Sequence, residues 1–348
     1  ESDHLGLNAA VPATCFPPAV GLGASWDPAL AERVGAAIGR EAAIEDVAVV
    51  LGPGVNIKRS VLCGRNFEYF SEDPIHASDM GSGIVRGIQS QGVGTSLKHF
   101  AANNQETDRM RVSSDVDPRP LREIYLRAFQ GVVEDTQPWT VMCSYNRVNG
   151  VYASEDPFLL TEVLREEWGF EGLVVSDWGA SNVRTEGIKA GMDLEMPSSN
   201  GLSDRQLVAA VKAGELDEAD LDRAAERVLN LIRRANERAA VSEALDVDAH
   251  HALAREAAGR SIVLLKNEGP ILPLRPEQKV AVIGEFAEKP RYQGGGSSHI
   301  TPTRVDVALD AIREVAGGEV AYAPGYVLPE APEGIGMSGG KSPKPAAE

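Results

Sequence analysis

An aspartate and a tryptophan directly follow a short apolar run in the segment Glu171–Gly179. The run, residues 173–175, predicts a buried strand that ends just before Asp177 and Trp178. A carboxylate beside a flat aromatic surface is suited to attack on a sugar carbon, where it can form a covalent glycosyl intermediate. The alternative is that Asp177 caps a following helix and Trp178 only fills space beside it.

Polar side chains also follow other strand-like runs along the chain. They are Arg65, Lys98, His99, Arg109 and Tyr145. In a barrel of parallel strands the carboxyl ends of the strands share one face, so we expect these side chains to converge near Asp177. Cations would favour the ionised carboxylate, and the N–H and O–H donors could bind sugar hydroxyls. Taken singly, a Lys-His pair is more often a solvated surface group, and a tyrosine is as often a core side chain. In the loop of Arg65, Asn66 and Glu68 are interpreted only as bracing residues.

Short apolar runs alternate with helical patterns through the first two thirds of the chain. The runs are residues 47–51, 93–100, 140–145 and 173–176, with a weaker one at 192–196. Asp-Pro pairs at 27–28, 73–74, 117–118 and 156–157 predict helix starts, because aspartate can cap the free amides and proline suits the first helical position. This alternation predicts an α/β fold, a (β/α) barrel of TIM type.

The sequence pattern divides the chain into a barrel over residues 1–245, a linker over 246–278 and a partial α/β sandwich domain over 279–348 with an irregular tail after Tyr326. The continuous apolar run at 279–284 predicts a buried parallel strand. A glycine-rich loop at 294–298 is similar to a phosphate-binding loop, but it has no P-loop lysine. We therefore rank a phosphate-binding barrel enzyme last among the alternatives.

Composition excludes several classes of protein. The 348 residues are 43% hydrophobic and 24% charged, which suits a globular chain with a sizeable core and no membrane span. A formal charge of −17 disfavours nucleic acid and anionic lipid as partners. The sparse cysteines, Cys15, Cys63 and Cys143, predict neither a disulfide framework nor a zinc site. They favour a cytoplasmic location, with secretion or a periplasmic location left open.

The motifs CGRNFEYFSEDP, KHFAANNQE, PLREIYL, MCSYNRVNG and VVSDWGA occur in this order and together resemble family 3 of the glycoside hydrolases, in its β-glucosidase branch. The resemblance covers nearly the whole chain. It implies that Asp177 is the catalytic nucleophile. It also implies a sugar-binding subsite formed by Arg65, Lys98, His99, Arg109, Tyr145 and Trp178, with Ser297 as a contact from a loop of the second domain.

The chain departs from the family pattern in two places. The family's Asp-Gly-Pro segment, whose aspartate binds sugar hydroxyls, would lie just before Glu1, so Asp3 is not its equivalent. The barrel is accordingly expected to lack its first strand. The family's acid/base glutamate would lie beyond the end of this chain, because Glu285 matches no such motif. In addition, Ala101 replaces the proline of a Lys-His-Phe-Pro-Gly element found in relatives that cleave N-acetylglucosamine, which favours the β-glucosidase branch.

The resemblance implies a retaining, exo-acting β-glucosidase that acts on β-glucosides or cello-oligosaccharides and needs no metal or cofactor. Without its acid/base the chain is expected to be a weak catalyst. The alternatives are a non-catalytic sugar-binding protein and a family 3 enzyme with another glycone preference, such as a β-xylosidase or a β-N-acetylglucosaminidase. The oligomeric state is left open.

Overall fold

The computed structural model describes residues 11–239, 241, 243–269, 271–292 and 296–326. The α-helices are Ala19–Ala24, Pro28–Ile44, Pro74–Gln89, Pro118–Pro120, Arg127–Thr136, Arg184–Ala190, Leu202–Ala213, Glu218–Asn236, Val247–Arg260 and Ala308–Val315. Leu121–Tyr125 and Phe158–Glu167 are π-helical, and Asn66–Glu68, Ala153–Glu155, Glu285–Ala287 and Gly296–Ser298 are short 3-10 helices. The strands are Pro12–Ala13, Val49–Val50, Gly94–Phe100, Ser113–Ser114, Thr140–Cys143, Arg147–Val148, Val151–Tyr152, Leu173–Ser176, Val280–Ile283, Thr301–Pro302 and Val320–Ala323.

A four-stranded parallel sheet carries the candidate site. Its strands, Val49–Val50, Gly94–Phe100, Thr140–Cys143 and Leu173–Ser176, pair in the order in which they occur along the chain. A parallel bridge from Val175 to Leu194 extends the order into the weak fifth run. Neighbours in sequence that are also neighbours in space, all parallel, are the arrangement of a barrel, so the carboxyl ends of these strands share one face. The predicted strand positions are confirmed.

The Asp-Pro pairs begin helices, as predicted. Asp27 accepts a hydrogen bond from the Leu30 amide, and Asp73 accepts from the Ile75 and His76 amides. Asp156 likewise accepts from the Phe158 amide at 3.0 Å. Asp117 precedes a helical turn without a side-chain cap bond. The capped starts fix where the helices return along the sheet.

Glycines allow the helices Pro28–Ile44 and Pro74–Gln89 to pack closely. A Cβ at Gly87 would lie 2.1 Å from the Glu32 carbonyl oxygen, and one at Gly35 would lie 2.5 Å from that of Ile84. Both distances are far inside van der Waals contact, so neither position accommodates a larger side chain without moving the helices apart. The pair thereby forms a tight layer over the sheet.

The second part of the described chain contains a small parallel pair, Val280–Ile283 with Val320–Ala323. The parallel strand was predicted correctly, but its burial was not. Val280 and Val282 are half-buried, Ala281 is exposed and Ile283 is 72% exposed. The run is apolar on both faces, and the described residues cover only one of them.

The helix Val247–Arg260 lies at the start of the predicted linker. It packs against the helices Ala19–Ala24 and Pro28–Ile44, with Ala257 fully buried between them.

The division of the chain into a barrel, a linker and a partial sandwich domain stays a prediction. Predictions that concern Glu1, Asp3, Gly294, Gly295 and the tail from residue 327 fall outside the described residues. Within the described part of the chain, every helix is too short or too polar to cross a bilayer.

Candidate active site

Asp177 lies directly after the strand Leu173–Ser176, at the carboxyl-end face of the sheet. Its side chain is only 10% exposed. Oδ1 accepts a hydrogen bond of 2.7 Å from the Trp178 amide. Oδ2 is buried, and no hydrogen-bond partner for it is found among the described residues. One carboxylate oxygen is therefore held in place while the other remains available to react.

Lys98 and His99 are consecutive residues whose side chains both reach this face. Successive side chains of a regular strand point to opposite sides, but the register against Thr140–Cys143 shifts between Leu97 and Phe100. The side chain of Asn56 holds the irregular segment, since its Oδ1 accepts from the His99 amide at 2.8 Å and its Nδ2 donates to the His99 carbonyl at 3.0 Å. As a result, His99 Nε2 lies 3.7 Å from Asp177 Oδ2.

Glu68 links two of the cations of the site. Its carboxylate forms an ion pair with Arg65, and its Oε2 lies 3.7 Å from Lys98 Nζ. Both Lys98 and Glu68 have side chains only 1% exposed. Buried charges are stable only when paired, so Glu68 allows two cations to lie beside Asp177.

Arg109 and Tyr145 contact each other at the site. The Arg109 guanidinium lies over the Tyr145 ring, 4.6 Å from its centroid, and pairs with Glu106 at 2.8 Å. The Tyr145 hydroxyl donates to the Trp178 carbonyl at 3.1 Å. Trp178 is half-buried and packs beside Met142, Leu173 and Val175. These contacts bring aromatic surface and a cation to the edge of the carboxylate.

Burial and charge act on Asp177 in opposite directions. Loss of water raises the pKa of its carboxyl, whereas Arg65, the Trp178 amide and Lys98 each lower it. Burial is the largest cause, so the pKa lies above its usual value. The cations offset part of the cost of keeping a dehydrated carboxylate ionised.

His99 and Tyr145 are neutral for the same physical reason. Burial lowers the pKa of His99 well below its usual value, and Arg65, Lys98 and Arg109 lower it further. Burial also raises the pKa of Tyr145, with the charge of Asp177 as the next cause. Both groups can therefore serve as hydrogen-bond donors at neutral pH.

The structure brings together Asp177 and the predicted residues Arg65, Lys98, His99, Arg109, Tyr145 and Trp178. Ser297 lies in the turn Gly296–Ser298, before the strand Thr301–Pro302 that pairs with Pro12–Ala13. Its contact with a sugar stays a prediction, as do the roles of the other residues.

Sequence reasoning missed the residues that hold the site together. They are Asn56, Tyr69, Asn103 and Glu106, whereas Glu68 was expected to brace the Arg65 loop but not to pair with Lys98. Glu68 and Tyr69 adjoin Arg65 in one motif, and Asn103 and Glu106 lie in another, so their position in those motifs was a usable signal. Their partners, however, lie up to about 43 residues away in sequence, a separation that local pattern does not resolve.

The arrangement suits covalent catalysis by a carboxylate. It combines a carboxylate oxygen that no described residue hydrogen-bonds with neighbouring cations and neutral donors, all around one buried point. Among the described residues, no group of three or more His, Cys, Asp or Glu side chains is placed to hold a metal ion.

Fold and site together define a TIM-barrel-like α/β protein with a carboxylate site at the carboxyl ends of its strands. Residues 4–231 match the glycosyl hydrolase family 3 N terminal domain, and residues 262–344 match the glycosyl hydrolase family 3 C-terminal domain. The chain belongs to glycosyl hydrolase family 3, which confirms the resemblance seen in the motifs.

Two of the most similar relatives are named for different activities. The chain is 56% identical to thermostable beta-glucosidase B of Acetivibrio thermocellus over 330 residues, which are 94% of this chain and 44% of that protein. It is 55% identical to an exo-alpha-(1->6)-L-arabinopyranosidase of Bifidobacterium breve over 334 residues, 92% of this chain and 44% of that protein. The chain thus spans less than half the length of these relatives.

A solved structure supports the fold directly. The crystal structure of a Bifidobacterium adolescentis GH3 beta-glucosidase superposes with a TM-score of 0.89 at 52% sequence identity. The superposition covers 95% of this chain and 48% of the other.

Proposed function

We propose that this chain contains the glycone site and the nucleophile of a retaining, exo-acting β-glucosidase. Asp177 attacks the anomeric carbon of a terminal β-D-glucosyl residue, and the glycosidic oxygen leaves with the aglycone. Water then hydrolyses the glycosyl-enzyme bond and releases glucose. The basic and aromatic side chains around Asp177 bind the hydroxyl groups and the ring of the sugar.

One observation carries this proposal. Asp177 Oδ2 is buried, lacks a hydrogen-bond partner among the described residues and lies 3.7 Å from His99 Nε2 within a ring of donors. A helix-capping aspartate accepts from an amide two or three residues further on, as Asp73 does, whereas Asp177 accepts from the amide of the next residue, and a nucleophile needs one oxygen free for the substrate. The beta-glucosidase relatives give the class of substrate.

The acid/base belongs to the same proposal. By resemblance it is a glutamate late in the second domain, and general acid catalysis contributes a factor of about a hundred to ten thousand. The chain should therefore cleave glucosides of acidic phenols, whose leaving groups need no proton, far better than it cleaves cellobiose. Hydrolysis of cellobiose at an ordinary enzymatic rate would contradict this part.

Initial rates on dinitrophenyl β-D-glucoside test the activity. We expect wild-type turnover and a loss on the order of 10³-fold or more in Asp177→Asn, as for loss of a nucleophile. Asp79→Asn, on an exposed position of the helix Pro74–Gln89, is the matched control and should keep wild-type rates. Equal rates for Asp177→Asn and wild type would refute the proposal.

The arabinopyranosidase relatives favour a second candidate for the glycone. An α-L-arabinopyranoside presents its anomeric substituent as a β-D-hexopyranoside does, but it has no exocyclic CH₂OH group. Comparison of kcat/KM on aryl β-D-glucoside and aryl α-L-arabinopyranoside decides between them. We expect the glucoside to be preferred, and the reverse order would assign the chain to the second candidate.

A further inference from the structure

A line of buried polar groups runs from the Asn103 side chain to Asp177. Asn103 Nδ2 lies 3.2 Å from the Tyr69 hydroxyl, which lies 3.1 Å from His99 Nδ1. At the other side of the ring, His99 Nε2 faces Asp177 Oδ2 at 3.7 Å. Tyr69 is fully buried, and Asn103 and His99 are each 1% exposed. In such a site each proton must have a defined place, since water cannot compensate for a misdirected donor.

The donor and acceptor groups of Asn103, Glu106 and Tyr69 fix the direction of these hydrogen bonds. Asn103 Nδ2 also lies 3.1 Å from Glu106 Oε1, and an ionised carboxylate only accepts, so the nitrogen of the amide must face it. That nitrogen therefore donates to the oxygen of Tyr69. The one hydroxyl proton of Tyr69 is then directed to His99 Nδ1.

His99 can accept this proton only through the lone pair of an unprotonated Nδ1. Because the imidazole is neutral, its single N–H must lie on Nε2, the nitrogen that faces Asp177. Tyr69 keeps its proton, since burial raises the pKa of its phenol well above the usual value. From Asn103 to His99, each proton in this line therefore has one defined position.

We propose that Tyr69 is a positioning residue that fixes the tautomer and orientation of His99, so that His99 Nε2–H acts only as a donor beside Asp177. In the wider site this donor selects a sugar oxygen that accepts a hydrogen bond, a step that rests on the proposed function. The tautomer itself does not depend on that function.

Nitrogen NMR on the full chain labelled with ¹⁵N-histidine tests the tautomer without substrate. The His99 signals are assigned by their loss in His99→Gln. We expect wild-type His99 to carry its proton on Nε2, and Tyr69→Phe to move the Nδ1 resonance toward that of a nitrogen without a donor. Tyr152→Phe removes a hydroxyl that Arg147 Nη2 contacts at 3.1 Å and that is no part of the line from Asn103 to His99, so it should leave both signals unchanged.

A proton on Nδ1 in the wild type, or an Nδ1 resonance unaffected by Tyr69→Phe, would overturn the proposal. Kinetics give the second readout: kcat/KM on an aryl glucoside should fall about two- to tenfold in Tyr69→Phe, the effect of one net hydrogen bond, and stay unchanged in Tyr152→Phe. Correct spectra without any turnover would refute the proposed function and leave the role of Tyr69 intact.

Discussion

The imidazole Nε2 of His99 lies 3.7 Å from Oδ2 of Asp177, and both side chains are almost completely buried. A neutral donor thus faces a carboxylate oxygen that has no hydrogen-bond partner among the described residues. Burial raises the pKa of Asp177, so the ionised form that a nucleophile needs is less favoured here than in a carboxyl exposed to water. Ionised Asp177 therefore lowers the stability of the folded protein.

Asp177→Asn should make the protein more stable at neutral pH. The folded-state pKa of Asp177 is raised, so the unfolded chain releases the proton first as pH increases. Wild-type stability therefore falls as pH rises from the unfolded to the folded pKa, and the penalty is absent below both. Thermal unfolding from acid to neutral pH should show a gain for Asp177→Asn that disappears at acid pH. Asp79→Asn should show no such pH-dependent gain.

Arg65→Met should shift the acidic limb of the pH–rate profile to higher pH. Arg65 is the largest of the causes that lower the pKa of Asp177, so its removal leaves the effect of burial less opposed. The profile is measured as kcat/KM on dinitrophenyl glucoside. Arg59→Met, at an exposed position nearby, is the control and should leave the limb in place. An acidic limb that moves to lower pH in Arg65→Met would contradict this electrostatic account.

Asp193 should be required for stability. Its carboxylate lies 2.8 Å from Arg165 Nη2 and 2.8 Å from Arg227 Nη1, with a side chain 1% exposed. Removal of one partner of a buried ion pair leaves uncompensated charge, so Asp193→Ala should cost about 3 to 5 kcal/mol of unfolding free energy.

The exposed pair of Arg122 and Glu167 is the control for Asp193. Its members lie 2.6 Å apart with side chains 44% and 43% exposed. Solvent screens such a pair, so Glu167→Ala should cost less than about 1 kcal/mol when both variants are unfolded by urea titration. Similar losses for the two variants would mean that Asp193 contributes no more than a surface charge.

Gly87→Ala should destabilise the contact between the helices Pro28–Ile44 and Pro74–Gln89. The added Cβ would lie 2.1 Å from the Glu32 carbonyl oxygen, so the helices must separate, at about 1 to 3 kcal/mol. Gly259 lies in the helix Val247–Arg260 with no neighbour within 4 Å of an added Cβ. Gly259→Ala should instead stabilise by about 0.4 to 1 kcal/mol. Urea unfolding of both variants checks the opposite signs.

Local signals were sufficient for much of the fold. The Asp-Pro pairs at Asp27 and Asp73 marked helix starts because capping depends on neighbouring residues alone. Strand positions were equally local. The burial of residues 279–284 was not, because an apolar run shows what a strand could bury and says nothing about which neighbours cover it.

In the candidate site too, some residues were predictable from sequence and others were not. Residues at strand ends, such as Asp177 and His99, were predictable because barrel geometry brings strand ends together. Asn56 and the pairing of Glu68 with Lys98 were not, because they depend on partners distant in sequence. Glu68 neutralises Lys98, and Asn56 bonds both backbone groups of His99. Such support becomes visible only when the chain is folded.

Covalent trapping tests the central claim most directly. The full chain is incubated with dinitrophenyl 2-deoxy-2-fluoro-β-D-glucoside, whose leaving group needs no acid, then digested and analysed by mass spectrometry. We expect one added fluoroglucosyl group, on the peptide that contains Asp177, and none in Asp177→Asn. A label on another carboxylate, such as Glu68 or Glu106, would contradict the assignment of Asp177 as the nucleophile.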